Sequence, residues 1–80
     1  MSTHDLKTWP DYYDSIAIGV KTFEVRKNDR DYRAGDTLIL LRYDHKKRNY
    51  TGERMEKTVC YVMYGGQFGI ALDYCVMAIK

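Results

Sequence analysis

The spacing of hydrophobic residues changes period partway along this chain. Tyr12, Tyr13, Ile16 and Ala17 recur at helical spacing. After Gly19 the period shortens to two: Phe23 and Val25 share one face, while Thr22, Glu24 and Arg26 share the other. The first pattern predicts a helix of roughly two to three turns. The second predicts a half-buried strand anchored by Phe23 and Val25. Local chemistry marks the helix ends. Pro10 suits the first helical position, where its missing N–H costs nothing. Asp11 suits the positive end of the helix dipole, and Gly19 suits a left-handed cap. The short run His4-Asp5-Leu6-Lys7-Thr8-Trp9 ahead of the helix reads as a first strand.

Beyond the second strand, residues 28–36 read as a polar loop ending in a Gly35-Asp36 turn. Thr37–Tyr43 is nearly all apolar, so both faces of that strand are expected to be covered. Residues 44–52 read as a polar connection, with Asn49 and Gly52 as turn residues. Arg54–Tyr64 reads as a long strand, Gly65–Gly69 as a break, and Tyr74–Ile79 as the last strand. The order is therefore strand, helix, then four strands. It predicts a β-rich α+β fold in which one helix plugs a small, mostly antiparallel barrel.

The chain's 80 residues make one domain spanning 1–80, with no repeat or linker. Eight Tyr residues suit so small a core, because the ring packs while the hydroxyl stays wet. The formal net charge is only +2, so attraction to a polyanion requires a local cluster of cations. The start Met1-Ser2-Thr3-His4-Asp5 has no apolar core of a signal peptide, and no apolar run reaches membrane-spanning length. Cys60 and Cys75 both fall in strand-like runs. Without a secretory signal they read as buried free thiols of a cytoplasmic protein, ahead of a cross-strand disulfide. His4, His45, Cys60 and Cys75 do not fall at ligand spacings, so no metal or cofactor is expected.

The segment Gly19-Val20-Lys21-Thr22-Phe23-Glu24-Val25-Arg26 fills every fixed position of the pattern G-x-K-x-x-E-x-R. In this it resembles the activating signal cointegrator homology (ASCH) domains, which carry the pattern between their first helix and a strand. Gly35-Asp36-Thr37-Leu38 matches the Gly-Asp turn those domains tend to carry before a hydrophobic strand. With His4–Pro10, Lys27–Arg30 and Gly65–Gly69, the resemblance covers almost the whole chain. It implies a PUA-like pseudobarrel of five to six strands, a cleft between the helix and one end of the sheet, and an RNA or nucleotide-like ligand.

Within that frame, Glu24 and Arg26 read as strand-face neighbours, with Glu24 orienting the planar fork of Arg26 toward phosphate or a base edge. Alone they would read as a surface ion pair of little worth. Lys21 belongs at the helix–strand junction, as a phosphate contact or as a solvated lysine. Lys7 adds positive charge on the same side. Gln67 and Phe68, on the glycine-rich loop, form a second candidate site, with an amide for base edges and a ring for stacking. Trp9 is expected in the core first and as a stacking platform second. The run His45-Lys46-Lys47-Arg48 reads first as a solvated loop and second as backbone contacts.

The leading expectation is an RNA- or nucleic-acid-binding module. Some small relatives are amidohydrolases of acetylated cytidine, which the chain resembles at Lys21. This implies a second reading, with Glu24 as a general base and Lys21 as its electrostatic partner. Against it, Glu24 stands where those enzymes have a catalytic threonine, and their glutamate-bearing helical insert has no counterpart between the last two strands. A protein-interaction module is the third reading. The oligomeric state is left open.

Overall fold

A computed structural model describes residues 1–80. The elements follow the expected order: β1 (Thr3–Thr8), α1 (Pro10–Ala17), β2 (Phe23–Lys27), β3 (Thr37–Asp44), β4 (Asn49–Tyr64) and β5 (Tyr74–Ile79). The five strands form one sheet ordered β1-β3-β4-β5-β2. Only the β1–β3 pairing is parallel; the other three are antiparallel. The strands at the two borders, β1 and β2, flank α1 in the chain.

α1 begins at Pro10, and Trp9 before it is extended (φ −60°, ψ 148°), as a residue preceding proline prefers. The helix stops where Gly19 takes φ +81° and its N–H donates to Ile16 O at 3.1 Å. A side chain at Gly19 would meet open space, so glycine is needed there for its backbone angle rather than for room. Tyr13 and Ile16 enter the core. Arg42 of β3 fastens the helix to the sheet, its Nε and Nη2 each 3.1 Å from an Asp14 carboxylate oxygen.

β1 alternates strictly, with His4, Leu6 and Thr8 inside. β3 lies between β1 and β4, and the apolar run is covered on both faces. Leu38 and Leu40 are sealed in the core, while Ile39 is buried on the other face between Asp5 and Glu56. Val59, Cys75, Met77 and Ile79 complete the interior from β4 and β5.

β4 is longer than its sequence predicts. It starts at Asn49, so the connection from β3 is a short turn instead of a nine-residue polar segment. Asp44 makes the turn possible: its Oδ1 accepts the N–H groups of Lys46 and Lys47, each at 3.0 Å. The register shifts between Leu41 and Tyr43 opposite the stretch containing Gly52, whose φ is +94°. A second shift, between Val59 and Tyr61, leaves Cys60 unpaired on a bulge. This corrects the expected burial of both cysteines. Cys75 is sealed in the core, where burial pushes its thiol pKa up, whereas Cys60 is turned outward. Both are free thiols.

The polar loop 28–36 also holds a core residue. Tyr32 is only 1% exposed, its ring centroid 4.8 Å from that of His4 in an edge-on arrangement. Asn28 Oδ1 accepts the Tyr32 N–H, and Tyr64 Oη donates to Tyr32 O. At the end of the loop, Asp36 is buried beside His4, with His4 Nε2 2.9 Å from Asp36 Oδ2. Ser2 N and Arg33 N donate to the same carboxylate at 2.9 and 3.0 Å. Burial raises the Asp36 pKa, but the hydrogen bonds from Ser2, His4 and Arg33 outweigh it and hold the group at about 2.

Because that value lies below the ordinary 3.8, the Asp36 contribution is fully present above about pH 4 and is lost as pH falls toward 2. Asp36→Asn is expected to remove this part of the acid limb, read from urea midpoints at pH 2 to 6. Asp36→Ala, which strands the Ser2 and Arg33 donors, is expected to cost about 1–3 kcal/mol at pH 7.

Candidate functional site

The segment that fills the G-x-K-x-x-E-x-R pattern folds with the reverse of its expected parity. Phe23 and Val25 were expected inside; they are 45% and 51% exposed. Glu24, expected outside, is 4% exposed. A short charged ladder makes the inversion possible. Lys21 Nζ donates to Glu24 Oε1 and Arg26 Nε donates to Glu24 Oε2, both at 2.9 Å. The carboxylate thus enters the interior with a cation on each oxygen, which is the condition under which a buried charge is tolerated. Lys21 precedes the strand, just after the Gly19 cap, so alternation does not bind it. Its ammonium folds back, also donating to Phe23 O.

Arg26 then reaches across to the opposite border of the sheet. Its Nη2 donates to Lys7 O at 2.7 Å and lies 3.4 Å from Thr8 Oγ1. Arg30 makes a similar crossing, Nη1 donating to Asp5 O at 2.7 Å. β1 and β2 share no backbone ladder; arginine side chains span the seam between them.

Along this seam lies a cleft of about 570 Å³. Lys7, Thr8, Trp9 and Tyr12 line it from β1 and the start of α1. Phe23 and Val25 line it from β2, and Lys21, Glu24 and Arg26 complete it. Four residues marked out by sequence, Lys7, Lys21, Glu24 and Arg26, therefore come together. Gln67 and Phe68 do not join them. Gln67 Nε2 donates to Tyr64 O within its own loop, and Phe68 stands exposed there at φ +52°.

Tyr12, Phe23 and Val25 line the cleft without having been placed there by sequence, and Trp9 lines it in keeping with its second reading, as a stacking platform. Trp9, expected in the core, is 49% exposed. Its ring stacks on His45 at a centroid distance of 3.8 Å and an interplanar angle of 11°, and lies nearly parallel to Tyr12 at 6.2 Å. The cations sit on aromatic faces. Lys7 Nζ is 4.7 Å from the Tyr43 ring centroid, and Lys21 Nζ is 4.7 Å from that of Phe23. Lys7 Nζ and Arg26 Nη1 make no hydrogen bond, and Lys21 uses two of its three protons, so positive donors remain for a ligand. His, Cys, Asp and Glu side chains nowhere gather in threes as a metal site requires. No helix is long and apolar enough to cross a membrane.

Fold and site together define a small strand-rich domain with a cationic, aromatic-walled cleft at the seam between its border strands. The chain belongs to the family described as "Domain of unknown function (DUF3850)", whose profile matches residues 3–79. It is also similar to the "Uncharacterized 12.9 kDa protein in GpA 3'region" of Escherichia phage P2, with 38% identity over 56 residues. Those residues are 70% of this chain and 50% of the phage protein, so the chain spans about half the length of that relative.

Removing the central carboxylate leaves Lys21 and Arg26 facing each other without compensation. Glu24→Ala is expected to destabilise the fold by about 3 kcal/mol, the low end for breaking a buried ion pair because Lys21 and Arg26 keep some contact with water, measured by urea unfolding. Lys27→Ala, an exposed change on the same strand, is expected to stay within about 0.5 kcal/mol.

Proposed function

We propose that the cleft holds a nucleotide-like unit of RNA and that the chain is a binding module of the ASCH type. The observation that carries this reading is the convergence of three cations and three aromatic rings on one cleft of about 570 Å³. That volume is in the range of small-ligand sites. A base needs a π face and a phosphate needs positive donors. Trp9, Tyr12 and Phe23 offer the first; Lys7, Lys21 and Arg26 offer the second. The fold is read in the same way, as a PUA-like pseudobarrel whose last seam is spanned by Arg26 and Arg30 instead of a backbone ladder.

Binding is favoured over amide hydrolysis by the state of Glu24. Both its oxygens already accept cation donors, and the residue, though it borders the cleft, is nearly sealed from solvent. A general base must reach the proton it abstracts. Glu24 instead serves the cations, fixing Lys21 and Arg26 so that their remaining donors point at a ligand.

Trp9 is the chain's single tryptophan, so its emission reports the cleft directly. At about 20 mM salt, adenosine or uridine monophosphate and short single-stranded RNA are expected to quench it saturably. The affinity should fall as salt rises. Lys7→Ala should weaken binding about tenfold, equivalent to about 1.4 kcal/mol, with no change in the thermal melt. The absence of both quenching and retention on a filter at low salt would overturn the proposal.

A further inference from the structure

The turn between β3 and β4 carries His45, Lys46, Lys47 and Arg48 in succession. Such a run is usually a solvated tip, but this one is fastened to the candidate site. His45 is partly buried, lying flat on the Trp9 ring with 3.8 Å between centroids. Trp9 and Tyr12 also border a second hollow, of about 360 Å³, which His45 and Lys46 line with them. Within the turn, His45 Nδ1 is sealed from solvent and has no hydrogen-bond partner. An unpaired buried polar atom is uncommon in a folded protein.

The charge at this tip is concentrated. Lys46, Lys47 and Arg48 bring three positive charges, whereas the whole chain has a net +2. Two carboxylates lie nearby. Asp44 is occupied in building the turn, its Oδ1 accepting the Lys46 and Lys47 N–H groups, and Asp11 opens α1. None of the three cations is paired with a carboxylate. Arg48 holds φ +57°, a left-handed angle that fixes where the tip turns.

We infer that the β3–β4 turn extends the cleft into a site for a single-stranded polynucleotide. One nucleotide occupies the cleft, the next passes the Trp9–His45 stack, and Lys46, Lys47 and Arg48 take the following phosphates. This rests on the nucleotide reading of the cleft and deepens it: the ligand is several linked nucleotides, not a free one. Stacked rings accept any base, so the site reads chain length and charge more than sequence.

The test is a Trp9-emission titration at about 50 mM salt with adenosine monophosphate and with oligoadenylates of two, four and eight nucleotides, as RNA and as DNA. Affinity is expected to rise at least tenfold from the mononucleotide to the tetramer. In the triple variant Lys46→Gln, Lys47→Gln, Arg48→Asn, the advantage of the octamer over the mononucleotide should collapse. Its salt slope should fall by about 2, the value for three lost phosphate contacts on a single strand. Asn tolerates the left-handed angle at position 48, and far-UV circular dichroism checks that the variant folds. A mononucleotide that binds as tightly as the octamer, or a triple variant with the parent's length dependence, would refute this inference while sparing the cleft reading. Failure of every ligand to bind would remove both.

Discussion

The organisation of this small domain turns on one buried carboxylate. Glu24 lies inside the sheet only because Lys21 and Arg26 each engage one of its oxygens at 2.9 Å. An isolated charge at that depth would be prohibitively costly, and removing either cation would leave it so. Side chains alternate along a strand, so placing Glu24 inside turns Phe23 and Val25 outward. Those two become one wall of the cleft. Arg26, oriented by the same carboxylate, reaches the Lys7 carbonyl and brings the far border of the sheet within range. The cleft is therefore a consequence of how the buried charge is satisfied.

Much of the fold was legible because its signals are local. Pro10 and Gly19 bracket α1, and Tyr74–Ile79 is β5 to the residue. The near-continuous apolar run of β3 correctly foretold burial on both faces. The failures share one cause: they depend on partners far away in sequence. Tyr32 looks like part of a polar loop, but it packs on His4 of β1. Cys60 faces outward because of a bulge set by pairing with β5. Trp9 is drawn to the surface stack by His45, a residue on a distant turn.

The candidate site was half legible. The charged positions of the motif were identified by type and spacing, and Lys7 by its place before the helix. Of the aromatic wall only Trp9 was named, in second place as a stacking platform; Phe23 was missed, since the parity of β2 was assigned by sending its apolar residues inward. That rule fails when a satisfied ion cluster claims the interior face. A usable signal was present: Glu24 is flanked at −3 and +2 by cations able to satisfy it, a pattern compatible with burial as well as with exposure.

The arginines that cross the seam bear on how the molecule avoids sticking to itself. A border strand normally offers a row of free carbonyls and amides on which a foreign strand can build. Asp5 and Lys7, two apart and so on the same edge of β1, have their carbonyls taken by Arg30 and Arg26 at 2.7 Å each. A β-strand arriving from another chain would have to displace two charge-assisted hydrogen bonds before making its first. Arg26, which also lines the cleft, and Arg30 thus guard the open edge of a short, easily extended sheet against such pairing.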